Sequence, residues 1–184
     1  MIIKVDSREQ NPLEFSTKNG LITVVTTGLP FGDYWCAMQD KDGNEMNEVP
    51  IMFERKSISD LYSTLTNEDN IRRHKEKIKK AEQMGCRMFM IVEGTLSDVE
   101  EGYEYSEAKP LSVVKTIFTF MVKYNFMPIF CKDRAEMVRF MIHTWHAFGR
   151  NFKPVKPELS ITTALDLKTS YNGTLIEQID TPKD

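Results

Sequence analysis

The stretch VPIMFERKSISDL, residues 49–61, passes from apolar to charged side chains with only Pro50 as punctuation, and its reading decides the fold. Residues 49–53 have the composition of a buried strand. Glu54, Arg55 and Lys56 then follow at its end, where an isolated charge taken into low dielectric costs about 3 kcal/mol or more unless it is paired or binds a metal. On a strand, side chains alternate faces, so Glu54 and Lys56 point one way and Phe53 and Arg55 the other. A helix follows, capped by Ser57 or Ser59 and running through Leu65.

Working outward, period and punctuation make the chain alternate between strands and helices. Strands are expected at 2–5 (IIKV), 21–27 (LITVVTT), 34–38 (YWCAM), 49–56, 87–94 (RMFMIVEG) and 126–131 (FMPIFC). The Asp-Gly inside QDKDGNEMNE signals a hairpin, so 34–38 and 49–56 should be antiparallel neighbours. A second helix starts near 67–70, residues 95–110 read as a loop, and Pro110 opens a helix over 111–124. That helix has one narrow polar stripe (Ser112, Lys115, Thr116, Thr119, Lys123), which predicts burial on more than one side, in the domain or against another subunit. The last helix, 133–148, groups Met137, Val138, Met141, Trp145 and Phe148 on one side. Residues 1–149 are expected to form one domain, and 150–184, with two Lys-Pro pairs and no sustained period, a tail that is extended or binds a partner.

Composition narrows the class. With 184 residues, 41% hydrophobic and 28% charged, the chain is globular, and no run reaches the roughly 18 apolar residues of a membrane span. MIIKVDSREQ lacks the apolar segment of a secretory signal, so an intracellular protein, cytoplasmic or nuclear, is expected. The formal sequon at Asn172-Gly173-Thr174 then carries no weight. Cys36, Cys86 and Cys131 are odd in number and have no CxxC spacing, which suits free thiols used as apolar filler.

The net charge of −3 conceals RRHKEKIKK at 72–80, with six basic residues and one acid. Local charge sets the field at a phosphate backbone, so Arg72, Arg73, Lys75, Lys77, Lys79 and Lys80 are candidate DNA contacts, against the plainer reading of a solvated helix face. His143 and His146, one helical turn apart, read as ordinary helix residues because no third zinc ligand stands at suitable spacing. DKDGNE places glycine fourth rather than sixth and so departs from the calcium-loop pattern; it reads as a turn.

Asp33 precedes one strand of the hairpin and Glu54 ends the other, so the pairing sets two carboxylates side by side with Lys56. Such a pair can share Mg²⁺ or Mn²⁺ through hard oxygen ligands, with the ammonium orienting or helping to deprotonate a water and opposing charge on a phosphate. A salt-bridged strand end is the alternative for the same three residues.

Gly-Asp-Tyr at 32–34, Glu-Arg-Lys at 54–56 and Asp60 three residues later resemble the G-D…E-R-K-x-x-x-D signature of the XPF-type (ERCC4 domain) structure-specific endonucleases, within the PD-(D/E)-x-K nucleases. VDSREQ, FMIVEG and the run from Lys109 to Met141 extend the resemblance over about residues 1–148. It implies an α/β, restriction-endonuclease-like mixed sheet flanked by helices, and Mg²⁺- or Mn²⁺-dependent hydrolysis of branched or junction DNA in replication, recombination or repair. By the same resemblance Asp6, Asp33, Glu54 and Lys56 line the active site, Arg8 and Arg55 support it, and Asp60 braces it. The metal ligands implied are Asp33, Glu54 and the Arg55 backbone carbonyl. Family members dimerise, which points to a homodimer through 111–124 and 133–148. The family's helix-hairpin-helix repeats and helicase find no counterpart in the sequence, and NIRRHKEK lacks the glutamine often found in the helix after the signature. A catalytically inactive DNA-binding or assembly subunit with this fold is the alternative function.

Overall fold

The structure, a computed structural model, describes residues 1–16, 22–124, 126 and 128–151. Seven strands form one mixed sheet: β1 (Ile2–Asp6), β2 (Thr23–Thr27), β3 (Tyr34–Gln39), β4 (Glu45–Glu48), β5 (Ile51–Ser57), β6 (Arg87–Glu93) and β7 (Pro128–Cys131), in the order β2-β1-β3-β5-β6-β7 with β4 paired to β3 alone. β1 runs parallel to β2 and antiparallel to β3, while β5, β6 and β7 are mutually parallel. The helices are α1 (Ile58–Thr66), α2 (Glu68–Gln83), α3 (Leu96–Glu101), α4 (Pro110–Tyr124) and α5 (Arg134–Asn151). This is the expected α/β mixed sheet flanked by helices, and among the described residues no helix is long and apolar enough to cross a membrane.

Each face of the sheet carries its own core. Leu61, Tyr62 and Leu65 of α1, Ile78 and Ala81 of α2, and Val113, Ile117 and Phe120 of α4 pack with Met52, Met90 and Val92. On the other face Met137, Met141 and Trp145 of α5 pack with Ile3, Tyr34, Phe53 and Ile91, and the Trp145 indole donates to the Ile51 carbonyl at 3.0 Å. Full burial of these side chains contributes about 1.5–3 kcal/mol each. The three cysteines are buried free thiols, and burial pushes Cys36 up to about 12 and Cys131 up to about 11, so both stay protonated and unreactive.

Several elements differ from the sequence expectation. The hairpin is closed by β4, a separate strand, and Pro50, which has no N–H for a ladder, separates it from β5. β3 and β5 are antiparallel neighbours as expected, paired where Tyr34 meets Phe53. Residues 95–110 hold α3, because Thr95 and Asp98 form a reciprocal capping box. Phe148, placed with the apolar face of the last helix, is half exposed, and that helix continues through Asn151 into the stretch assigned to the tail. The rest of the tail, and the sequon at 172–174, lie outside the described residues.

The narrow polar stripe of α4 does not translate into burial all round. Val113, Val114, Ile117 and Phe120 are buried, whereas Leu111, Phe118 and Val122 form an exposed apolar strip, Val122 being 84% exposed. α4 and α5 lie against opposite faces of the sheet, which ends at β7.

Candidate active site

The site forms where β3 and β5 part. Gly32, at φ 68°, turns the chain into β3; a Cβ there would also lie 3.2 Å from the Phe53 carbonyl oxygen. The turn lets the Asp33 N–H donate to that carbonyl at 2.8 Å, while the Asp33 carbonyl accepts from the Asp6 N–H at 2.8 Å. The Asp33 carboxylate then takes the place of the missing β3 residue by accepting from the Arg55 N–H at 2.7 Å. One residue's N–H and C=O point to the same strand edge, so the Arg55 carbonyl faces the same gap as Asp33.

Glu54, 2% exposed, sits next along β5. The Lys56 ammonium lies 3.1 Å from its Oε1, and Lys77 of α2 donates to Oε1 at 2.7 Å and Oε2 at 2.9 Å. Burial by itself would raise the Glu54 pKa, but the charges of Lys56 and Lys77 outweigh it and hold the carboxyl below its ordinary value. Asp33 behaves oppositely. Burial first, and the Glu54 charge second, push it up to about 7 against the Arg55 N–H and Lys56. Burial pulls Lys56 down, yet Glu54, Asp33 and Asp60 together leave it raised, so it is an ammonium at neutral pH. That charge suits it to opposing negative charge on a phosphate.

Asp33, Lys56, Asp6, Arg8, Asp60 and Lys77 border a cleft of about 440 Å³ together with Glu9 and residues 30–32. A second cleft, about 310 Å³, lies beside Glu54 and is bordered by Arg73, His74, Asn70, Lys56, Asp60 and Lys77. Lys56, Asp60 and Lys77 border both.

The structure gathers the residues expected by resemblance, though their surroundings differ. Asp6 is buried and fully engaged: it accepts from the Arg8 N–H, from the Arg8 guanidinium at both oxygens, and from the Leu29 N–H, all within 2.8 Å. The Arg8 guanidinium, despite the cost of burial, holds the Asp6 pKa down at about 2. With its oxygens so occupied, Asp6 fastens the segment that leads to Asp33. Arg55 turns its guanidinium away from Glu54, to Glu93 at 2.6 Å and Glu9 at 3.7 Å, as strand alternation requires. Ser57, rather than Ser59, is the N-cap of α1; it accepts from the Asp60 N–H at 3.1 Å and donates to the Asp60 carboxylate at 2.7 Å.

The six basic residues of α2 do not form one surface. Arg73, Lys77 and Lys80 share a helix face at i, i+4 and i+7, and Lys80 reaches the Pro30 carbonyl at 3.5 Å. Arg72 pairs with Asp69 at 2.9 Å, Lys79 is exposed on a different face, and Lys75 sits 5.1 Å over the Tyr124 ring of α4. Lys77, expected to meet phosphate, is bound to Glu54 because its helix face docks onto the site.

Sequence reasoning missed His74 and Glu9. His74 is buried between the rings of Phe120 and Phe126, its Nε2 has no hydrogen-bond partner, and burial lowers its pKa to about 4, so it is neutral. The signal was present: Ile71, His74, Ile78 and Ala81 lie on one helical stripe, which marks His74 as inward-facing. His143 and His146 are exposed on α5, on either side of buried Trp145.

The ERCC4 domain family matches residues 5–144 of the chain. No curated protein matches it. Among solved structures, the XPF protein of Aeropyrum pernix superposes with a TM-score of 0.57 at 21% identity, over 79% of this chain and 65% of that one. The same protein in complex with DNA superposes with a TM-score of 0.55 at 18% identity, over 93% of this chain and 82% of that one. The chain thus spans about two-thirds of the first of these structures, and both likenesses concern the fold. With a family match running from β1 into α5, over the strands and helices that build the cleft, the chain belongs to the ERCC4 domain family.

Proposed function

We propose that the protein is an endonuclease that hydrolyses DNA phosphodiester bonds at branched or junction structures with Mg²⁺ or Mn²⁺. The observation that carries this reading is the pair of carboxylates, Asp33 and Glu54, held at the parting of β3 and β5 beside a charged Lys56. Burial first, and the Glu54 charge second, disfavour an ionised Asp33, and a divalent cation bound by both carboxylates would offset each. Among the described residues no three His, Cys, Asp or Glu side chains converge; in this reading Asp33, Glu54 and the Arg55 carbonyl would hold the ion, with water completing its shell. Hard oxygens with an incomplete protein shell suit Mg²⁺ or Mn²⁺ better than zinc.

When bound, such an ion would supply an activated water and neutralise phosphate charge. Lys56 opposes the charge that develops on the phosphate in the transition state. Arg55 orients Asp33 through its N–H, and the Asp6–Arg8 pair fixes the approach to Gly32 through Leu29. Arg73 borders the second cleft, Lys80 reaches Pro30 at the border of the first, and the two hold the DNA backbone. Replacing both with glutamine is expected to flatten the salt dependence of DNA binding by about two phosphate contacts, read as the slope of log K against log salt. Lys75→Gln, whose ammonium lies on Tyr124, should leave that slope unchanged.

Homodimerisation is part of the proposal, with Leu111, Phe118 and Val122 and the β7 edge as the surface. Light scattering at micromolar concentration is expected to give twice the chain mass; a monomer would remove this element. Cleavage itself is tested with labelled flaps, forks, Holliday junctions and duplex in Mg²⁺ and in EDTA. Cutting of a branched substrate in Mg²⁺ alone supports the enzyme. Binding without cutting on every substrate in Mg²⁺ and Mn²⁺ points instead to a non-catalytic subunit.

A further inference from the structure

Two ammonium groups converge on the Glu54 carboxylate, Lys77 spanning both oxygens and Lys56 sharing Oε1, while among the described residues the Asp33 carboxylate nearby accepts from the Arg55 backbone N–H. The two lysines differ in freedom. Lys56 lies on the same strand, its side chain 19% exposed, whereas Lys77 arrives from α2 on a long stem and its side chain is 41% exposed. Lys77 can withdraw; Lys56 has little room to do so. Lys77 also borders both clefts, so an ammonium leaving Glu54 stays within the site.

Resting on the reading of Asp33 and Glu54 as metal ligands, we infer that Lys77 is a resident counter-cation that competes with the divalent ion for Glu54. In the free protein it bridges both oxygens of the carboxylate, and an ion can engage them only when Lys77 moves off. Lys77 thereby sets the metal affinity of the DNA-free protein and keeps Glu54 compensated, and the site folded, until metal arrives. Lys56 reaches only Oε1 of this buried carboxylate, and the second lysine, supplied from another element, bonds Oε2 as well.

The test is titration of the full chain with Mn²⁺, followed by calorimetry and by the electron paramagnetic resonance signal of the unbound ion. Lys77→Met, which keeps the length of the stem and removes the charge, is expected to bind Mn²⁺ about 10-fold more tightly than wild type, the size of a typical coupling between competing ligands. Lys77→Arg, which keeps the charge, is expected to stay within a few-fold of wild type. Arg73→Met removes a charge from the same cleft without touching the Glu54 pair and is expected to change the affinity far less. The inference is overturned if Lys77→Met binds Mn²⁺ no more tightly than wild type, or if Arg73→Met tightens binding equally, since a general local field would then account for the effect. Mn²⁺ uptake by wild type with no gain in Lys77→Met sinks the inference and leaves the metal site standing. No uptake by any of the four proteins removes both.

Discussion

Asp33→Asn is expected to abolish DNA cleavage while making the protein more stable at pH 8. Asparagine still presents an oxygen to the Arg55 N–H, so the turn at Gly32 is kept. The lost carboxylate removes a metal ligand, and cleavage should fall by at least about 1,000-fold with DNA binding retained. The stability gain follows from the raised pKa. The Asp33 value in the folded chain, about 7, lies above its ordinary 3.8, so its contribution is fully present at pH below 3.8 and is lost as pH rises through 7. At pH 8 the wild type bears the whole penalty of an ionised Asp33, buried and beside Glu54, on the order of 4 kcal/mol, and the variant bears none. Thermal unfolding from pH 4 to pH 8 checks this: the wild type should lose stability relative to Asp33→Asn across that range. Equal pH profiles for the two proteins would show that the fold does not raise the Asp33 pKa.

Glu54→Gln should also stop cleavage, but with stability changing in the opposite direction. The Glu54 pKa is held below its ordinary 4.5, so its contribution is present above that value and lost as pH falls through the depressed one. At pH 8 the substitution leaves Lys56, mostly buried, and Lys77 facing a neutral amide. Lys77 can turn to solvent, while Lys56 remains with Asp33 as its nearest opposite charge. Breaking one side of such a buried pair costs about 3 kcal/mol, and chemical denaturation should show that loss at pH 8 and a smaller one at pH 4. Two carboxylates beside the same lysine therefore have opposite effects on stability, because two ammonium groups outweigh burial at Glu54 while burial and the Glu54 charge prevail at Asp33. Such a division is common where a site keeps strain for function.

The fold was legible where a segment's own chemistry decides its structure. The apolar runs of β1, β3, β5 and β6 mark buried strands, Ser57 and Asn67 cap α1 and α2, and Gly32-Asp33 opens β3. Alternation along β5 alone separates Glu54 and Lys56 from Arg55. What escaped depends on contacts between distant segments. β4 is a polar tetrapeptide, Glu-Met-Asn-Glu, that becomes a strand by pairing with β3 and by presenting Glu45 and Glu48 to Lys4, each at 2.7 Å. α3 is too short for periodicity to reveal, although its Thr95–Asp98 box was in view.

Charge along α2 shows the same limit. A run of lysines and arginines reads as one basic surface, yet helical geometry spreads it over several faces, and docking commits Lys75 to α4 and Lys77 to Glu54. The hundred-degree step could have separated Arg73, Lys77 and Lys80 from Arg72 and Lys79. It could not have shown which face meets the active site, since that depends on the side chains that seat α2 on the sheet. Asp6 borders the cleft as the resemblance implies, and sequence alone did not show the four hydrogen bonds it accepts from Arg8 and Leu29.

Anomalous X-ray diffraction from crystals soaked in Mn²⁺ tests most directly whether Asp33 and Glu54 grip one divalent cation. The expected result is a single peak between the two carboxylates, within bonding distance of the Arg55 carbonyl, with the Lys77 ammonium withdrawn from Glu54. No peak in that gap at saturating Mn²⁺, or a peak bound to neither carboxylate, would contradict the account.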